Sequence, residues 1–245
     1  MAEGYEAQRR SVVLLKNKDQ VLPRARQKVY VPDRWTIPMH GPFMSDAKPK
    51  RVPAVDTAIL RKYYDPVSTP EEADFAIVFM DSPASMGYSE EEGYLPITLQ
   101  YRPYTAVSAR ESSLAGGDPH ETDPNRSYRG KTNTALNQAD LDCFLQTRQA
   151  MGEKPVVAVV NLSNPMVVAE FEPLADAIVL GFDCQTQAIL DVLCGACEPS
   201  GLLPCQLPAD METVEAQCED VPRDMRCHTD ACGNTYDLAF GMNWS

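Results

Sequence analysis

The sequence predicts an α/β protein: a three-layer α/β/α sandwich of flavodoxin-like or Rossmann-like layering, built on a mainly parallel sheet. Two observations predict it. Four short apolar runs rich in β-branched residues, at 12–15, 75–80, 156–160 and 177–182, have the length and composition of strands buried on both faces. Helical spacing appears beside and between the later runs, and strands alternating with helices indicate a parallel sheet with right-handed crossovers.

Taken in order, residues 1–10 are polar and charged and read as a leader to the domain. The first strand follows with Val12, Val13, Leu14 and Leu15. The stretch 32–70 carries prolines at 32, 38, 42, 49, 53, 66 and 70 and reads as irregular. After the strand at 75–80 comes a second irregular stretch, 81–134, rich in Gly, Ser, Pro and charge. An excursion of that length in a compact domain is commonly functional, and its start at the carboxyl end of a strand is where open α/β sheets place ligands.

A helix is expected over 137–151, because Leu141, Phe144, Leu145 and Arg148 follow a 3.6-residue period and Gly152 can stop it. It leads through Lys154 into the strand at 156–160. A helix at 165–174, the strand at 177–182 and a helix at 185–193 follow, the last carrying Ala188, Ile189, Val192 and Leu193 at helical spacing. The whole of 1–245 reads as one domain, and its 44% hydrophobic residues suffice for a packed core.

The 22 basic and 35 acidic side chains leave a formal charge of -13 with no basic stripe, which excludes a nucleic-acid ligand. No stretch approaches the roughly 20 apolar residues that span a bilayer, and residues 1–10 lack the pattern of a secretion signal. The expectation is a soluble cytoplasmic protein, or a secreted or periplasmic one if a longer parent carries the signal. All eight cysteines lie at or after Cys143; Cys194 and Cys197 form a C-x-x-C, and Cys227 and Cys232 flank His228. Structural zinc favours two close pairs on loops, whereas Cys194 and Cys197 end a helical segment, so the reading is free thiols and no metal.

Five segments in order resemble the C-terminal domain of family 3 glycoside hydrolases, of β-glucosidase or β-xylosidase type. Ser11-Val-Val-Leu-Leu-Lys-Asn17 with Val21-Leu-Pro23 resembles its opening. Lys154-Pro-Val-Val-Ala-Val-Val160 and Ala175-Asp-Ala-Ile-Val-Leu180 resemble two of its strands. Glu198-Pro-Ser-Gly-Leu-Leu-Pro204, with Pro208 beyond, resembles its proline-bounded turn, and Tyr236-Asp-Leu-Ala-Phe-Gly-Met-Asn-Trp244 its ending. The family's first domain, a (β/α) barrel bearing the catalytic nucleophile, has no counterpart in these residues. The resemblance implies a retaining β-glycosidase acting on β-glucosides or β-xylosides, with no cofactor, whose barrel is this domain's partner.

Retaining hydrolysis uses two carboxyl groups about 5 to 5.5 Å apart, and in many two-domain relatives the acid/base comes from this domain. Within Gly87-Tyr-Ser-Glu-Glu-Glu-Gly-Tyr94, Glu92-Gly93-Tyr94 resembles the family's loop and makes Glu92 the acid/base candidate, with Glu91 next; the family's following D-R pair is Leu95-Pro96 here. Burial and a nearby nucleophile would keep such a carboxyl protonated. Three consecutive glutamates also suit a solvated acidic turn. In 116–129, Asp118, Glu121 and Arg126 suit bidentate bonds to sugar hydroxyls, or pairing among themselves to fix the insertion. His120 lies in the same stretch, a lone loop histidine with no catalytic reading, while Trp35, Tyr101 and Tyr104 are candidate aromatic platforms. The competing function is a non-catalytic carbohydrate-binding or assembly module. Either way the chain alone is expected to be inactive and to expose an apolar face that favours a homodimer.

Overall fold

Six strands supply the main sheet of the computed structural model, which describes residues 2–37, 48–109, 127–218 and 221–244. In chain order the strands are β1 (Val13–Asn17), β2 (Lys28–Tyr30), β3 (Arg34–Trp35), β4 (Arg51–Val52), β5 (Asp65–Val67), β6 (Phe75–Asp81), β7 (Tyr88–Ser89), β8 (Gly93–Tyr94), β9 (Tyr104–Thr105), β10 (Thr132–Asn133), β11 (Val156–Asn161) and β12 (Ala177–Gly181). The helices are α1 (Ala2–Ser11), α2 (Thr57–Leu60), α3 (Gln138–Met151), α4 (Thr186–Leu193) and α5 (Met211–Ala216).

The sheet runs β1-β12-β11-β6-β2-β5. All neighbours from β12 to β5 are parallel, and β1 closes the edge antiparallel to β12. Burial on both faces follows a strict alternation, as the pleat requires. Val13, Ala76, Val78, Met80, Ala158, Val160, Ile178 and Leu180 face one core, where α3 contributes Leu141, Phe144 and Met151. Leu14, Phe75, Ile77, Val157, Val159 and Val179 face the other, where α2 and α4 contribute Leu60, Ile189, Leu190, Val192 and Leu193. Helices thus cover both faces, and the expected three layers are present.

The register of β1 shifts between Leu14 and Lys16. Unbroken alternation would turn Lys16 to the side of Val12 and Leu14, but a bulge re-aims the residues after it. Lys16 instead reaches Glu172, next to Phe171 of the α3-side core.

Two expectations change. Residues 165–174 form no α-helix; only Glu172–Leu174 turn as a 3₁₀-helix. Pro165 and Pro173 bracket β-branched Val167 and Val168, and the Val167 amide donates to Leu99 O across to the excursion after β6 (2.8 Å). Residues 1–10 are not a bare leader: α1 packs along α4, with Tyr5 Oη donating to Asp191 (2.8 Å) and the Gln8 amide oxygen accepting from Gln185 N. The irregular stretches hold short pieces, β3 to β5 with α2 in the first and β7 to β10 in the second. Among the described residues no helix is long and apolar enough to cross a membrane.

Candidate active site

Because β6, β11 and β12 are parallel neighbours, their carboxyl ends share one edge, where Asp81 pairs in register with Asn161 and Asn161 with Gly181. Polar side chains follow immediately. Asn161 Nδ2 donates to Asp81 Oδ1 (3.3 Å) and Asp183 Oδ1 (2.9 Å), and Asn161 Oδ1 accepts from Asp183 N (2.8 Å). Arg34, on β3, donates to both Asp81 (2.5 Å) and Asp140 (2.8 Å). Asp140 lies in the first turn of α3 and accepts from Asp81 N (3.0 Å). Burial pushes its carboxyl above the ordinary range, against the pull of Arg34.

Above this edge the excursion after β6 is tied down at several points. Tyr101 Oη donates to Asp81 O (2.7 Å), while Glu170 accepts from the amides of Tyr101 (2.6 Å) and Arg102 (2.9 Å). Asn137, just before α3, accepts from Ala84 N (2.9 Å) and donates to Asp81 O (3.0 Å). On this footing stands the β7–β8 hairpin, with Tyr88 opposite Tyr94, Ser89 opposite Gly93, and Glu90, Glu91 and Glu92 in the turn. Gly93 has φ +73°, a conformation that costs glycine little and a side-chain-bearing residue more. Ser89 Oγ accepts from Glu92 N (2.9 Å) and closes the turn.

All three glutamates are exposed. Glu92 and Glu91 therefore project from a closed turn beyond the carboxyl edge, free to enter a facing surface; the burial an acid/base requires has to come from such a surface. Tyr88 and Tyr94 meet edge to face, ring centres 5.5 Å apart, at the foot of the turn. Tyr101 is no sugar platform: it is fully buried and packs edge to face on Phe171 (6.5 Å). Tyr104 is half-buried, its hydroxyl pushed up by burial and by Glu215. Trp35 stays exposed on β3. Asp118, Glu121, Arg126 and His120 lie outside the described residues.

His228 Nε2 faces Glu172 Oε2 (3.0 Å), Cys227 Sγ receives Gln206 Nε2 (3.1 Å), and Cys232 is exposed. An open cleft of about 900 Å³ lies at the opposite, amino end of the sheet, lined by Lys18, Arg24, Arg148 and Asp176 among others. Its Arg148 is engaged by Asp176 (2.7 Å) and by the carbonyls of Gly152 and Lys154. Sequence reasoning missed Arg34, Asp81, Asp140, Asn161 and Asp183. For Asp81, Asn161 and Asp183 the signal was present, a polar residue directly after an apolar run, whereas Arg34 and Asp140 carried no such mark.

The model of the glycosyl hydrolase family 3 C-terminal domain matches residues 12–244. The chain belongs to this family. Similar proteins include β-glucosidase C of Emericella nidulans, 27% identical over 90% of the chain, and a probable β-glucosidase C of Aspergillus oryzae, 26% identical over 91%. The chain spans only 27% of the length of either. Among solved structures, the glucose complex of a Listeria innocua β-glucosidase aligns over 99% of the chain and 33% of its own, with TM-score 0.53 and 16% identity. A Chaetomella raphigera β-glucosidase aligns over 99% and 36%, with TM-score 0.55 and 17% identity. The fold of the family 3 C-terminal domain is thus present across nearly the whole chain.

Proposed function

We propose that this family 3 domain serves a retaining β-glycosidase acting on β-glucosides or β-xylosides, with Glu92 as acid/base and Glu91 as the alternative. One observation carries the reading: a closed turn of glutamates stands exposed beyond the carboxyl edge of the sheet, in a chain that matches the family domain from 12 to 244. The nucleophile belongs to a (β/α) barrel, and docking of that barrel over the hairpin would remove water from the Glu92 carboxyl and place a carboxylate near it. Both effects raise its affinity for a proton. Glu92 then protonates the glycosidic oxygen as it leaves and afterwards takes a proton from the water that opens the glycosyl-enzyme.

The test uses the chain together with its barrel, fused or supplied as a separate polypeptide. Glu92→Gln should lower turnover of aryl β-glucosides and β-xylosides by about 10²- to 10⁴-fold, the usual range for a lost general acid/base. Azide should restore rate on a substrate with an activated leaving group. Undiminished hydrolysis by the variant would place the acid elsewhere. The chain without a barrel should show no turnover, since the covalent step lacks its nucleophile.

A further inference from the structure

Two short strands of two residues each do not hold a hairpin on their own, and this hairpin carries three adjacent like charges at its tip. Its order has to come from elsewhere, and β10 with the residue before it supplies it. Lys131 Nζ donates to Glu92 O and to Tyr94 O (3.0 Å), gripping the tip. Asn133 Nδ2 donates to Met86 O (2.7 Å) and Pro96 O (2.8 Å), gripping the two arms where they leave the hairpin. In an extended strand residues i and i+2 share a face. Lys131 and Asn133 accordingly both face the hairpin and are half-buried, while Thr132 between them is exposed and bonds Thr105 Oγ1 (2.7 Å).

We propose that Lys131 and Asn133 are positioning residues for Glu92, a role that rests on the reading of Glu92 as acid/base. Four carbonyls bound by two side chains fix the path of the turn from both ends. A misplacement of about 1 Å at a reacting group can cost roughly a hundredfold in rate, so loosening the brace should register in catalysis although neither residue touches substrate.

The brace is measured first on the chain itself: Lys131→Met should speed amide hydrogen exchange in 86–96 while leaving the thermal unfolding midpoint nearly unchanged, and Lys131→Arg should restore protection. With the barrel present, Lys131→Met should lower kcat by about ten- to a hundredfold on glycosides with poor leaving groups, change KM little, and affect dinitrophenyl glycosides least, because these need no acid. That dependence on the leaving group is one that a merely structural residue would not produce. Exchange in 86–96 identical to wild type overturns the brace. If Lys131→Met keeps wild-type rates on glycosides with poor leaving groups while Glu92→Gln is impaired, the positioning role alone falls. If Glu92→Gln is itself undiminished, the acid/base reading falls and the positioning role with it.

Discussion

Lys16 has almost no contact with solvent, and its ammonium meets a carboxylate equally withdrawn. Its Nζ donates to Glu172 O (2.7 Å) and stands 2.6 Å from Glu172 Oε1, with side-chain exposures of 9% and 4%; His228 takes the other carboxylate oxygen. Removing one member of such a pair leaves an uncompensated buried charge, which costs about 3–5 kcal/mol. Lys16→Met should therefore lower the free energy of urea unfolding by about that much, and a loss below about 1 kcal/mol would mean that water or His228 compensates Glu172. Asp230 works in the same segment. Burial raises its pKa, but hydrogen bonds from Asn234, Cys232 and Tyr236 outweigh it and hold the carboxyl below the usual value. A folded-state pKa below the unfolded value of about 3.9 contributes stability that is present above that value and is lost as pH falls through the folded one. Asp230→Asn should accordingly flatten the decline of stability below about pH 4, as read from unfolding curves across pH; an unchanged acid limb would dismiss the role. The Lys16 and Glu172 pair was not legible in the sequence, because the two are 156 residues apart and spacing along the chain carries no sign of their meeting.

At the scale of elements, the proline-bounded turn and the C-terminal ending prove to be two halves of one strap. Gly201 N donates to Val12 O, Leu203 N to Phe240 O and Met242 N to Leu14 O, which lays both segments along β1. The glycines are there for closeness: a Cβ on Gly201 would lie 2.5 Å from Ser11 O, and one on Gly241 2.3 Å from Gly201 O, both against backbone that cannot step aside. Gly201→Ala should cost about 3 kcal/mol, at the upper end for forcing atoms into a packed site, and a thermal midpoint equal to wild type would contradict it. The Pro-Ser-Gly motif was visible in the sequence, but its reason was not. The strands found in advance are those buried on both faces, where composition leaves little choice. Those missed, β2 and β5, are three residues long; β5 contains Pro66 and sits at the sheet edge, where a missing donor is harmless. The antiparallel direction of β1 was likewise hidden, since an apolar run reports burial and not orientation. The expected helix at 165–174 failed because its apolar residues answer to Leu99 and the α3-side core rather than to a helical period. Of the site, the glutamate turn was legible from its resemblance, whereas its brace was not: Lys131 and Asn133 lie 37 to 47 residues from the carbonyls they hold.

At the scale of the whole molecule, five of the ten large apolar side chains exposed among the described residues lie on the excursion after β6. Met86, Tyr88, Tyr94, Ile97 and Val107 all lie there, Ile97 at 69% and Val107 at 62% exposed. Backbone bonds between Leu95 and Gly87 and between Ala106 and Lys131, with the Lys131 and Asn133 contacts, stitch these residues into one region around the glutamate turn. A soluble surface rarely concentrates large apolar side chains without a partner. If a barrel covers this region, the chain without it should associate with itself there, and charge decides how strongly. A formal charge of -13 opposes the approach of two copies, but that repulsion is screened beyond about 8 Å at physiological ionic strength, while burial of an Ile or Val side chain contributes about 1.5–3 kcal/mol whatever the salt. Association should therefore be weak in dilute buffer and strengthen with added salt, the opposite of a contact built on ion pairs. Ile97→Lys together with Val107→Lys should weaken it on the order of a hundredfold or more, since each copy loses two apolar contacts and gains none. Because both side chains are exposed, the double variant should unfold at the wild-type temperature. Sedimentation equilibrium at two salt concentrations checks this directly: a wild-type monomer at high salt and high protein concentration would show that the region is not an adhesive face.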